Sequence, residues 1–88
     1  MNNNNKILWV DDEIDLLESH IIYLTEKGYS VSKVNSGEDA IDYCKKNHVD
    51  LILLDEMMTG IDGISTLKKI KEINEDIPII MVTKNEEE

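Results

Sequence analysis

Three apolar runs that are continuous rather than alternating do most to constrain this chain. Ile7-Leu8-Trp9-Val10, Leu51-Ile52-Leu53-Leu54 and Ile79-Ile80-Met81-Val82 each offer apolar side chains to both faces of a strand. Strands of that kind belong in a sheet covered on both sides, which points to parallel pairing. Between the runs the period becomes helical. Ile14, Leu17, Ile21 and Leu24 recur three and four apart, one stripe of an amphipathic helix that Lys27-Gly28 should end. Tyr29 to Val34 reads as a shorter strand. Ser36-Gly37-Glu38-Asp39 reads as a helix start, with the Ser36 hydroxyl as cap and two acids at the positive end of the dipole. Ala40, Ile41 and Cys44 give that helix its inner face, and Ile64, Leu67, Ile70 and Ile73 form a third helical stripe. Pro78 opens the last strand. The order βαβαβαβ predicts an α/β fold, a doubly wound parallel sheet with helices on both faces and right-handed crossovers.

Eighty-eight residues make one small domain with little spare stability. There is no repeat, linker or second domain, so residues 1–88 read as one unit. Asn2 to Asn5 read as a frayed terminus, and the tail Lys84 to Glu88 as polar chain or the first turn of a further helix. A net charge of −10, from nine lysines, no arginine and nineteen acids, argues against a basic face for nucleic acid or an anionic membrane. It suits a protein that binds a cation or meets a basic partner, and equally a merely soluble one. The single cysteine, Cys44, excludes an internal disulfide and reads as a half-buried packing group. The start has no long apolar run behind basic residues, and no segment approaches the roughly 18 apolar residues of a membrane helix. The reading is a cytoplasmic protein.

The chemistry lies where the strands stop. Val10 gives way to Asp11-Asp12, and Leu54 gives way to Asp55. In an open parallel sheet, ligands bind beyond the carboxyl ends of the strands, where these three carboxylates should meet. Like charges so close repel, and a bound cation removes that penalty. Few hard oxygen ligands, with room left for water and phosphate, suit Mg2+. Thr83 closes the last strand with a hydroxyl, and Lys84 follows it. A carboxylate beside a metal and a hydroxyl donor is set up to attack phosphorus. Each residue alone has a plainer explanation: Asp11 or Asp12 as a helix cap, Asp55 as a turn residue, Thr83 as an ordinary strand end, Lys84 as a solvated charge. Their coincidence at one sheet edge favours the chemical reading.

Taken together, these residues resemble the receiver domains of response regulators of the CheY type. Besides the strand-end acids, the segment Asp55-Glu56-Met57-Met58-Thr59-Gly60-Ile61-Asp62-Gly63 is similar to that family's loop after its third strand, with Met58, Asp62 and Gly63 in place. The resemblance implies a flavodoxin-like sheet of order 2-1-3-4-5. It implies Asp55 as phosphoacceptor, Asp12 as direct metal ligand and Asp11 as a ligand through water. It adds the backbone carbonyl of Met57 to the Mg2+ shell and gives Thr83 a hydrogen bond to the phosphoryl oxygen. The donor it implies is a phosphohistidine on a sensor histidine kinase. The Asn-rich start, Trp9 and Thr83-Lys84 are also similar to regulators with a PglZ-type output domain, the PorX type.

Three departures bear on that reading. Thr59 stands where the family has Pro, which should loosen the loop. Lys84 stands where it has a small residue. The chain also ends before the family's fifth strand, the Lys that closes it and the last two helices. The sheet is therefore expected to be truncated after its fourth strand, with an exposed edge there. That predicts either a piece of a longer regulator or a homodimer through the fourth strand. A pseudo-receiver, an interaction module of the same fold without phosphorylation, is the competing reading. A metal-dependent phosphohydrolase would want an acid two residues after Asp55, where Met57 stands, and ranks last.

Overall fold

The computed structural model describes residues 5–58 and 60–82. Thr59, Thr83 and Lys84, and with them the expectations for a loosened loop and a strand-end hydroxyl, lie outside the described residues.

The strands are β1 (Lys6–Val10), β2 (Ser30–Val34), β3 (Leu51–Asp55) and β4 (Ile79–Val82); the helices are α1 (Glu18–Glu26), α2 (Gly37–Lys46) and α3 (Gly63–Ile73). All strand pairs are parallel and the sheet order is β2-β1-β3-β4. The most apolar strands, β1 and β3, are thus the central ones, as continuous hydrophobicity requires. Alternation along each strand sends side chains to two faces. Leu8, Val10, Ile52 and Leu54 pack with Ala40 and Cys44 of α2 and Ile70 of α3. On the opposite face Trp9 packs with Ile14 and Ile21, with Leu53 and Val31 against them. The sheet is doubly wound, as expected. Cys44 is buried in the larger cluster, and burial pushes its thiol up, so it acts as a small hydrophobe.

The helix ends follow from local chemistry. Gly28 takes the left-handed conformation at φ 101° after α1. The Tyr29 N–H donates to the Leu24 carbonyl at 3.2 Å and the Gly28 N–H to the Thr25 carbonyl at 3.0 Å, closing the last turn. The Ser36 hydroxyl accepts the Asp39 N–H at 3.0 Å, the predicted cap. We expect Ser36→Ala to lower stability by about 1 kcal/mol, seen as a shifted urea midpoint with unchanged slope.

Local order departs from the sequence reading in four places. The helix expected from Ile14 begins as a 3-10 turn over Ile14–Leu17. The second strand starts at Ser30, because Tyr29 completes the α1 end. Asn5, expected to be frayed, accepts the Ser30 N–H through its carbonyl at 2.9 Å. Most usefully, the third helical stripe is rotated. Gly63, Thr66 and Ile70 are buried while Ile64 is 50% exposed. Gly63 draws the first turn against β3, and that turns Ile64 outward. On the other sheet face, the buried Trp9 indole N–H has no hydrogen-bond acceptor among the described residues.

Candidate functional site

Pairing register builds the site. Val10 lies opposite Leu54 in the β1–β3 pair, so Asp11 and Asp55 leave the sheet side by side. Carboxylate oxygens of Asp11, Asp12 and Asp55 all lie within 4.8 Å of one another. Asp11 and Asp55 are buried at 1% and 0% exposure, while Asp12 opens toward solvent. The sequence expectation that these three acids converge therefore holds.

Backbone hydrogen bonds hold two of them in place. The Glu13 N–H donates to Asp11 Oδ1 at 2.8 Å, and the Met57 N–H donates to Asp55 Oδ1 at 3.1 Å. In both cases the donor is two residues on, the turn that Asp side chains favour. The plainer role of Asp55 as a turn residue is thus real. Asp11, whose plainer role was a helix cap, makes the same two-residue turn instead, while the N-caps fall at Glu13 and Leu17. Both turns serve the site by fixing one oxygen of each carboxylate. The Glu56 N–H donates to the Val82 carbonyl at 3.1 Å, which ties the loop after Asp55 to the end of β4.

Beside the acids runs a groove of about 580 Å³ lined by Asp12, Glu56, Met57, Met58, Asp62 and Ile64. Met57 is 76% exposed, so its side chain stands at the mouth. Glu56 and Ile64 had no assigned part in the site from sequence; the signal for them is adjacency to Asp55 and to Gly63. Asp62 caps α3, its Oδ1 accepting the Ser65 N–H at 2.9 Å. A separate groove of about 460 Å³ at the β2 edge carries Asp15, Lys33, Asp42 and Lys46. Its Lys46–Asp42 pair at 3.3 Å is solvated, so it does not concentrate charge as the strand-end acids do.

Two acids outside the cluster carry depressed pKa values. The Ser65 backbone N–H holds Asp62 below its ordinary 3.8. At the opposite end of the sheet, the Lys6 backbone N–H and then His48 hold Asp50 below 3.8, through bonds of 2.7 Å each. A folded-state pKa below the unfolded one gives stability that is present above the unfolded value and lost as pH falls through the folded one. We therefore expect stability to decline below pH 3.8 partly through these groups. Acid titrations of Asp50→Asn and Asp62→Asn, followed by circular dichroism, should each show a shallower acid limb than wild type.

Three hard oxygen donors, two of them buried, at the carboxyl edge of a doubly wound parallel sheet define a flavodoxin-like domain with an acidic, cation-type pocket. The chain belongs to the response regulator receiver domain family, which it matches over residues 7–88. Its function is that of the family, two-component signal transduction by phosphorelay. It is 41% identical over 86 residues to the transcriptional regulatory protein ResD of Bacillus subtilis, covering 98% of this chain and 35% of ResD. It is 39% identical over 82 residues to sporulation initiation phosphotransferase F of the same organism, covering 91% of this chain and 64% of that protein. The chain thus spans about a third of the one and under two thirds of the other. Among solved structures, the response regulator TrrA of Thermotoga maritima in complex with Mg(2+)-BeF superposes at a TM-score of 0.85 with 33% identity, covering 93% of this chain and 71% of that one. TrrA in complex with the histidine kinase ThkA superposes at 0.84 with 32% identity, covering 94% and 72%. No helix among the described residues is long and apolar enough to cross a membrane.

Proposed function

We propose that Asp55 is the phosphoacceptor. A carboxylate oxygen of Asp55 attacks phosphorus, the bond from phosphorus to the donor's imidazole nitrogen breaks, and the imidazole leaves as the group that regains a proton. The product is an acyl phosphate on Asp55. The observation that carries the reading is the convergence of Asp11, Asp12 and Asp55 at the ends of the two central strands. Asp11, Asp12 and Asp55, with the Met57 backbone carbonyl, would hold Mg2+, which supplies positive charge to the transferring group's oxygens. The donor set is hard and anionic, as that ion requires. The protein's own part is to fix Asp55 through the Met57 N–H and to hold the loop after it to β4. Thr83 follows β4, whose Val82 pairs with Asp55, and would donate its hydroxyl to a phosphoryl oxygen.

The donor is a phosphohistidine on a sensor histidine kinase, a partner supported by the kinase complex of the related TrrA. The chain takes up and releases its phosphoryl group once per signal and is not a multi-turnover enzyme. We place residues 1–88 in one cytoplasmic receiver unit of a longer regulator, with a PglZ-type output domain as the narrower assignment. A net charge of −10 leaves direct contact with nucleic acid or membrane to other parts of such a protein. The alternative to a longer regulator is a homodimer, in which a second copy would pair along the outer edge of β4, with Ile80 51% exposed beside it. The pseudo-receiver alternative predicts the same fold without the chemistry.

Mass spectrometry of the chain after incubation with a small acyl phosphate and Mg2+ tests this directly. We expect a gain of one phosphoryl mass that disappears in Asp55→Asn and without Mg2+. No gain in wild type would favour the pseudo-receiver.

A further inference from the structure

Two glycines stand where neighbouring elements meet most closely, and together they connect α2 to the end of β3. We propose that Gly37 is a positioning residue for the phosphorylation site: lacking a side chain, it lets α2 set how deeply the first turn of α3 sits against Asp55. The proposal rests on the reading of Asp55 as the acceptor.

A Cβ on Gly37 would collide with Thr66 Oγ1 and come within 2.7 Å of Ile61 Cγ2. Thr66 has no way to yield. It is fully buried, and its hydroxyl donates to the Asp62 carbonyl at 2.8 Å. A β-branched side chain also turns one heavy atom into the place another vacates. Nor can α2 retreat freely, since Ala40 and Cys44 bury its face in the core. A methyl group at Gly37 must therefore be absorbed by movement of the first turn of α3.

That turn leads straight to the site. It begins at Asp62, which lines the groove. Next comes Gly63, where a Cβ would lie 2.5 Å from the Asp55 carbonyl oxygen and 3.0 Å from Glu56 Cα. The Gly63 N–H donates to the Glu56 carbonyl at 3.3 Å. Glu56 and Met57 carry the loop whose N–H fixes Asp55 Oδ1. A shift at Thr66 is thus passed through Gly63 to the loop that orients the acceptor. Misplacing a reacting group by about 1 Å can cost up to about a hundredfold in rate.

The test compares the full chain as wild type, Gly37→Ala, Thr66→Ala and the double Gly37→Ala/Thr66→Ala, each below its melting temperature. Three quantities are read: amide positions of residues 55–57 and 62–63 by NMR, Mg2+ affinity, and the rate of phosphoryl uptake from a small acyl phosphate. We expect Gly37→Ala to displace those amides and to lower Mg2+ affinity and uptake by roughly tenfold. In the double variant the new methyl group occupies space given up by the Thr66 hydroxyl, only the Ile61 methyl at 2.7 Å still having to shift, and all three should return most of the way. A folded Gly37→Ala with unchanged amides and affinity would overturn the proposal, and so would a double variant no better than Gly37→Ala. If Gly37→Ala alone fails to fold, the comparison passes to Thr66→Ala and the double. With the Thr66 hydroxyl gone the added methyl has room, so the double should fold and match Thr66→Ala in amide positions and Mg2+ affinity; a double that fails to fold or binds clearly less tightly would again overturn it. Should wild type take up no phosphoryl group, the acceptor reading fails, while the amide shifts still decide the role of Gly37.

Discussion

Asp55→Asn is expected to melt higher than wild type in chelator and to gain almost nothing from Mg2+. The substitution is nearly isosteric, and an amide oxygen can keep accepting the Met57 N–H that now reaches Asp55 Oδ1 at 3.1 Å. What it removes is one negative charge from three that lie within 4.8 Å. At such a separation the pair repulsion is on the order of 3 kcal/mol at an effective dielectric constant of about 20. Solvent around Asp12 and the protein's adjustment leave a net gain of about 1 kcal/mol. For a domain of this size that is roughly 4–8 °C in Tm. Wild type in Mg2+ at a hundred times Kd should gain about 2.7 kcal/mol by mass action, and the variant should lose most of that. Calorimetry with and without Mg2+ reads both effects. A variant that melts lower than wild type in chelator would show that Asp55 contributes more through its hydrogen bonds than it costs through repulsion.

The second large effect belongs to Gly63. Its φ is not in the left-handed region, so its backbone makes no demand for glycine. Its surroundings do. A Cβ would meet the Asp55 carbonyl oxygen at 2.5 Å, Glu56 Cα at 3.0 Å and Met81 Cε at 3.0 Å. The methionine tip can move; the two backbone atoms cannot without opening β3 or its loop. Overpacking of this kind typically costs about 1–3 kcal/mol, and with backbone on two sides we expect Gly63→Ala near the upper end. Urea unfolding should show a clearly lowered midpoint, and Mg2+ affinity should fall with it. An unchanged midpoint would mean that α3 can slide along the sheet at little cost. Gly28 is the reverse case. Nothing lies within 4 Å of its Cβ position, and only its φ of 101° asks for glycine.

These glycines mark the boundary of what the sequence discloses. The strand centres were legible because Ile7 to Val10 and Leu51 to Leu54 are apolar at successive positions, a pattern with few other uses. The acids were legible because they follow those runs directly, and parallel pairing then brings the strand ends level. The Ser36 cap was legible from residue type alone. What was hidden depends on distances between elements. Ile64 fits a helical stripe as well as its neighbours do, and only the close approach at Gly63 turns it toward the groove. Thr66 is polar by composition yet fully buried, because its hydroxyl finds the Asp62 carbonyl within its own helix. The 3-10 turn at Ile14–Leu17 keeps the apolar spacing of a helix while changing its pitch, which periodicity does not resolve.

The sheet order also governs how the molecule comes to exist. β1 is first in sequence but interior in space, paired with β2 on one side and β3 on the other. Among the described residues no neighbouring strands are joined by a hairpin, so each of these pairings waits for a helix to be laid down between its members. During synthesis Asp11 and Asp12 leave the ribosome long before Asp55. The apolar β1 that precedes them stays half-uncovered until β3 arrives to register Val10 against Leu54. The acidic pocket is therefore completed only by that pairing: repulsion between Asp55 and the two earlier acids is imposed as the central strands are buried, and the burial of Leu8, Val10, Ile52 and Leu54 is what drives the three like charges together.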